Sequence, residues 1–120
     1  LRTVVAGNML RSGSMVLLSG ATATVTCGAD GRPSVALARE SGTPIADDER
    51  LRVVTSDFLA TGGDDYFTPV LPLTVLEQRD NMRDEIARAI ANGPTTIGPE
   101  VVASPPRVVS AGGRPLRCGR

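Results

Sequence analysis

A chain of 120 residues, 41% of them hydrophobic and with 13 basic side chains against 13 acidic ones, fits one small globular domain that buries roughly two-thirds of its unfolded surface. The charges cancel and the Arg residues are scattered, so the basic footprint of a nucleic-acid binder is missing, and no apolar run approaches the ~20 residues needed to cross a bilayer. His is absent, so a Ser-His-Asp triad, a Cys-His dyad or a His-based zinc site cannot be assembled from this chain.

Residues 1–11 (LRTVVAGNMLR) set Leu1, Val4, Val5 and Met9 at helical spacing, weakened by Gly7. Ser12-Gly13 ends this helix, and residues 14–19 (SMVLLS) form a short apolar run suited to a strand buried on both faces. In residues 21–27 (ATATVTC), Ala21, Ala23, Val25 and Cys27 alternate with three Thr residues, the period-two signature of a half-buried strand. Asp30-Gly31 signals a hairpin turn, residues 34–40 (SVALARE) read as the returning strand, and residues 41–49 as a polar loop with the acidic cluster Asp47-Asp48-Glu49.

Residues 51–57 (LRVVTSD), rich in Val and Thr, read as the next strand and run directly into FLATGGDDYF. Past Pro69 and Pro72 a second helix is signalled. Thr74 with Glu77 offers a capping box and Asp80 a later start. Met82, Ile86, Ala89 and Ile90 then share a face, Asp84 and Arg88 form an i,i+4 pair, and Gly93-Pro94 stops the helix. Beyond it only residues 107–110 (RVVS) suit a strand, and residues 111–120 read as a loosely held tail unless Cys118 is bridged. The order of elements predicts an α+β domain over residues 1–110, with a mixed or mainly antiparallel sheet and packing helices. With Phe58, Phe67 and Tyr66 as the only aromatics, the core must come mainly from Val, Leu, Ile and Ala.

Cys27 and Cys118 lie too far apart in sequence for a metal-ligand spacing, which leaves a disulfide or free thiols. A bridge closing a loop of about 90 residues would contribute roughly 4 kcal/mol through the unfolded state and would pin the tail. Otherwise Cys27 is a small buried residue in phase with Ala23 and Val25.

The junction SDFLATGGDDYF (residues 56–67) is the most informative part of the chain. Paired glycines directly after a strand let the backbone take positive φ or approach another group closely. Phe58 and Asp64, separated by a tight turn, can face one pocket, where an aromatic face stacks on a base and a carboxylate accepts hydrogen bonds from ribose hydroxyls. Stacking contributes ~1–3 kcal/mol per base and a hydrogen bond to a charged acceptor roughly 1.5–3 kcal/mol. Three other readings stay open: Phe58 as a core residue, Gly62-Gly63-Asp64-Asp65 as a plain hairpin turn, and the same carboxylates as a loop with some calcium affinity.

The stretch LRVVTSDFLATGGDDYF (residues 51–67) resembles the signature of the C-terminal domain of the 5′-nucleotidase and UDP-sugar hydrolase family, a strand leading into aromatic-Leu-Ala-x-Gly-Gly-Asp-Gly-aromatic. Phe58, Leu59, Ala60, Gly62, Gly63, Asp64 and Tyr66 match that pattern, while Asp65 stands where the family usually has Gly. GSMVLLSGATATV, TPIADDERLRVVTSD and the helix around Arg83 to Ile90 resemble the flanking elements in the same order, so the similarity covers roughly residues 13 to 109. The resemblance implies that Phe58 forms one side of a clamp on the nucleobase and that Asp64, carried by Gly62 and Gly63, binds the ribose.

In that family the catalytic centre is a pair of divalent metal ions in a separate N-terminal metallophosphatase domain, built largely from His, Asp and Asn. The chain opens on Leu1 rather than Met and reads as an internal stretch of such a protein, with the second aromatic of the clamp and the phosphate-binding Arg residues upstream. It holds no catalytic or metal-ligating residue on this reading and is expected to be inactive by itself. The resemblance therefore predicts the nucleotide- or nucleoside-recognising part of an extracellular, periplasmic or cell-surface phosphoesterase. Its partners are the substrate and the metallophosphatase domain, with neither nucleic acid nor membrane among them. The alternative is a non-catalytic secreted module that keeps the fold for structural or partner-binding reasons.

Overall fold

The computed structural model describes residues 1–11, 16–77, 81–93, 98–99 and 105–119. These belong to two compact units, Leu1–Leu71 with Pro106–Arg120, and Pro72–Pro105. The first is a small α+β arrangement around a three-stranded mixed sheet of order β2-β1-β3.

The alternating Thr and apolar residues form β1 (Ala21–Cys27), which pairs antiparallel with β2 (Pro33–Arg39) in the register Ala21↔Arg39, Val25↔Val35. The hairpin closes where expected: the Gly31 amide donates to the Gly28 carbonyl at 3.0 Å, and the Asp30 carboxylate accepts from the Arg32 amide at 3.0 Å. On the other side of β1 lies β3 (Val108–Ser110), parallel, with Ala23 opposite Val108. Ala21, Ala23 and Val25 of β1, Val35 and Leu37 of β2, and Val108 turn to one face and are buried there with Val5 and Met9.

Those last two belong to helix α1 (Arg2–Met9), whose buried residues Val4, Val5, Asn8 and Met9 follow the helical period. The helix forms despite Gly7 because burial against β2 outweighs local propensity. Arg2 secures its start. The guanidinium donates to the Val35 carbonyl at 3.0 Å and to the carbonyls of Ile45 and Ala46, and pairs with Asp47 at 3.0 Å. Ile45, in the otherwise polar loop, is 4% exposed and completes that edge of the core.

Two expected strands are not formed. Ser14 and Met15 lie outside the described residues, and Val16 to Ser19 is irregular, with Val16 buried but Leu17 exposed. Here the Leu18 carbonyl accepts from Arg107 at 3.2 Å rather than from a neighbouring strand. Residues 51–56 are likewise irregular, and Val53 and Val54 face solvent. A Val- and Thr-rich run suits a pleated surface only where a neighbouring strand supplies one, and the described sheet ends at β2 and β3 with neither run paired to it.

The second unit contains helix α3 (Met82–Asn92), capped by the Asn81 side chain, which accepts from the Arg83 amide, and ended at Gly93. The capping box at Thr74 and Glu77 does not start it, and Asp80 lies outside the described residues. The predicted face of Met82, Ile86 and Ile90 is exposed, and Arg88 pairs with Glu85. No helix among the described residues is long and apolar enough to cross a membrane.

Cys27 and Cys118 are joined in a disulfide across 91 residues. Cys27 thus leaves the buried phase of β1 and is exposed at the strand's end. The tail is further held by Leu116, which is 4% exposed and whose amide donates to the Met9 carbonyl at 2.7 Å. Reduction of the bridge, or Cys118→Ser, is expected to lower stability by about 4 kcal/mol, read as a fall in the denaturant midpoint. An unchanged midpoint would mean that Leu116 and β3 hold the tail unaided.

Candidate functional site

Phe58 was expected at the end of a strand and instead stands on a short helical turn, α2 (Asp57–Ala60), for reasons of local capping. Ser56 has extended backbone, and its hydroxyl accepts from the Leu59 amide at 3.3 Å. The Asp57 carboxylate accepts from the Phe58 amide at 2.8 Å, and the Thr61 hydroxyl donates to the carbonyls of Asp57 and Phe58 at 2.9 and 3.2 Å. The turn is thereby closed at both ends and holds Phe58 with 57% of its surface exposed. Phe58 is not a core residue. Phe67 is the buried aromatic, at 6% exposure.

The glycines that follow permit two different things. Gly62 has φ +105°, open to glycine and strained for other residues. Gly63 has ordinary backbone but lies against Phe58, so closely that a Cβ there would sit 2.5 Å from both the ring's Cε1 and the Phe58 carbonyl oxygen. The segment Gly63–Asp65 is a 3-10 turn rather than a hairpin. Asp64 and Asp65 are consecutive left-handed residues with φ 53° and 52°, a conformation that costs about 1–2 kcal/mol per residue and that Asp tolerates better than most.

Several contacts hold this turn in place. Within it, the Asp65 amide donates to the Gly62 carbonyl at 3.1 Å and the Tyr66 amide to the Gly63 carbonyl at 3.2 Å. From α1, the Asn8 side chain donates to the Tyr66 carbonyl at 3.0 Å, and from just beyond the helix Arg11 Nη1 donates to the carbonyls of Asp64 and Asp65 at 3.3 and 3.1 Å. The Tyr66 and Phe67 rings meet edge to face at 5.3 Å, with Tyr66 packed against the core. None of these supporting roles was read from the sequence, because Asn8 and Arg11 reach the turn across more than 50 residues.

The segment carries three aspartates, Asp57, Asp64 and Asp65, which differ in what engages them. Asp57 caps the Phe58 amide and Asp65 accepts from the Thr68 hydroxyl at 3.2 Å. The exposed Asp64 carboxylate has no hydrogen bond or ion pair to any described residue. Of the four predicted residues, Phe58 and Gly63 are in contact, Gly62 and Asp64 flank Gly63 in the same turn, and the Phe58 ring and the Asp64 side chain are both exposed. Among the described residues no three His, Cys, Asp or Glu side chains converge so as to hold a metal ion.

A shallow cleft of about 420 Å³ also opens beside Arg2, Ala6, Pro33 and Asp47. It shares no residue with the turn, and its one guanidinium is committed to backbone carbonyls and Asp47. No family model, characterised protein or solved structure matches this chain.

Two outcomes follow from the geometry. Gly63→Ala places a methyl group against the Phe58 carbonyl, so the turn must shift; a loss of about 1–3 kcal/mol is expected, with moved Phe58 ring resonances in NMR spectra. The phenol of Tyr66, the single tyrosine, is pushed above its ordinary value near ~10 by burial, an effect partly offset by the Leu17 amide. Its neutral form is the one favoured by folding, so that contribution is intact below pH ~10 and is lost as pH rises through the folded-state value. Spectrophotometric titration should find Tyr66 ionising later than free tyrosine, and a normal titration would place the ring in water.

Proposed function

We propose that this chain is the nucleoside-recognising part of a secreted phosphoesterase of the 5′-nucleotidase and UDP-sugar hydrolase type. Its bond-breaking metal centre would lie in a metallophosphatase domain N-terminal to it. The observation that carries the reading is the exposed Phe58 ring packed against Gly63, the residue directly before Asp64, whose exposed carboxylate is unengaged by any described residue. The two groups complement the two ends of a nucleoside: a flat base for the ring, vicinal hydroxyls for the carboxylate.

Three further features support it. The turn carries the aromatic-Leu-Ala-x-Gly-Gly-Asp sequence by which the chain resembles that family's C-terminal domain. The residue that departs from the pattern, Asp65, has φ 52°, a backbone region that a glycine enters freely and an aspartate enters at modest cost. The Cys27–Cys118 disulfide suits an oxidising, extracytoplasmic compartment.

On this reading the chain positions substrate rather than activating water. Stacking on Phe58 contributes ~1–3 kcal/mol and hydrogen bonds to Asp64 roughly 1.5–3 kcal/mol, enough for orientation at an adjoining centre. Titration of the chain with adenosine, followed by NMR, is expected to shift resonances of residues 57–66. Phe58→Ala and Asp64→Ala should each weaken binding by roughly five- to a hundredfold. Unchanged affinity in both variants would remove the site, and phosphate release from nucleotides by the purified chain would overturn the assignment of catalysis to another domain.

A further inference from the structure

Two consecutive aspartates in the left-handed region are an unusual backbone, and such a conformation persists only where surrounding contacts over-determine it. The hydrogen bonds within the turn, Asp65 to Gly62 and Tyr66 to Gly63, fix its amides but do not use the carbonyls of Asp64 and Asp65. Both are met by one atom, Arg11 Nη1, at 3.3 and 3.1 Å. Arg11 directly follows the last turn of α1 and is itself anchored, its amide donating to the Asn8 carbonyl at 3.3 Å. Asn8 in turn grips the next carbonyl along, that of Tyr66, at 3.0 Å. Three successive carbonyls of the turn, 64 to 66, are therefore held from the C-terminal end of one buried helix.

We propose that Arg11 is a positioning residue for the nucleoside site, an inference that rests on that reading: its guanidinium fixes the left-handed Asp64–Asp65 backbone and thereby aims the Asp64 carboxylate at the ribose hydroxyls. Arg11 touches backbone only in this role and makes no contact with ligand. It therefore governs the sugar end of the ligand and not the base end, because Phe58 is held separately by Ser56, Asp57 and Thr61. The requirement is for a donor that reaches two carbonyls, which an ammonium group also satisfies.

The test uses the intact chain, with adenosine and free adenine as probes titrated by NMR against wild type, Arg11→Met, Arg11→Lys, Asp64→Ala and the Arg11→Met/Asp64→Ala double variant. Arg11→Met is expected to weaken adenosine about tenfold, the loss of one directed hydrogen-bonding interaction, and to leave adenine unchanged. Arg11→Lys should recover most of the loss, and the double variant should bind adenosine no more weakly than Asp64→Ala alone.

Equal weakening of adenine and adenosine would make Arg11 a general support of the fold and overturn the proposal. So would wild-type adenosine affinity in Arg11→Met alongside a clear loss in Asp64→Ala; that pattern leaves the nucleoside reading standing and removes Arg11 alone. Adenosine binding insensitive to both Phe58→Ala and Asp64→Ala would instead remove the nucleoside reading, and the role of Arg11 with it.

Discussion

A carboxamide sealed from water has to place its hydrogens on acceptors inside the protein, since leaving a buried polar group unsatisfied costs about 1–3 kcal/mol. Asn8, 2% exposed, meets this demand with the Val4 carbonyl of its own helix at 2.9 Å and the Tyr66 carbonyl of a distant turn at 3.0 Å. That second bond makes the position of the turn a condition for burying α1. The buried ring of Phe67 and the core-packed ring of Tyr66 add apolar contact on the same side. A segment rich in glycine and aspartate, which would sample many conformations alone, acquires one conformation because a helix elsewhere requires it.

The end of α1 is fixed from a second direction by the tail. β3 has only three residues, too few to persist as an isolated strand, and it is the parallel neighbour of the central strand β1. Its attachment is reinforced by the Cys27–Cys118 bridge and by Leu116, which enters the core while its amide meets the Met9 carbonyl. The C-terminal turn of α1 therefore hands one carbonyl to the tail, while the side chains of Asn8 within it and Arg11 just beyond it hold the turn at residues 64–66. Loosening of the tail and loosening of the turn should be coupled through this one stretch of backbone.

The sequence made the hairpin legible because both of its strands expose one face, so the period-two pattern survives in the residue types; the described burial of Ala21, Ala23, Val25, Val35 and Leu37 follows it directly. The helix at 82–92 was legible from its apolar period and its glycine stop, although not its first residue, since Asn81 rather than Thr74 supplies the cap. The runs at 14–19 and 51–57 carry strand propensity, but no described strand pairs with residues 16–19 or 51–57 to complete a ladder. At 56–57 a competing signal was present: Ser followed by Asp is good helix-start chemistry, and capping of the amides of Leu59 and Phe58 won over the β-branched run before it. The four candidate residues were picked out by their order in the chain, which a match of motif can do. The contacts to the carbonyls of residues 64 to 66 come from Asn8 and Arg11, which carry no local mark of that role.

Composition alone also treats Asp57, Asp64 and Asp65 as one acidic patch, whereas the fold gives them unlike roles. Asp57 is engaged by an amide and Asp65 by a hydroxyl, so neither retains its full capacity to accept. Asp64 is left exposed, at a backbone position that is costly to maintain and that contacts from Asn8 and Arg11 to three successive carbonyls maintain nonetheless. Beside it, the ring of Phe58 comes up against Gly63 because a single methyl group is absent there, so the exposed ring and the left-handed aspartate depend on one short stretch of backbone.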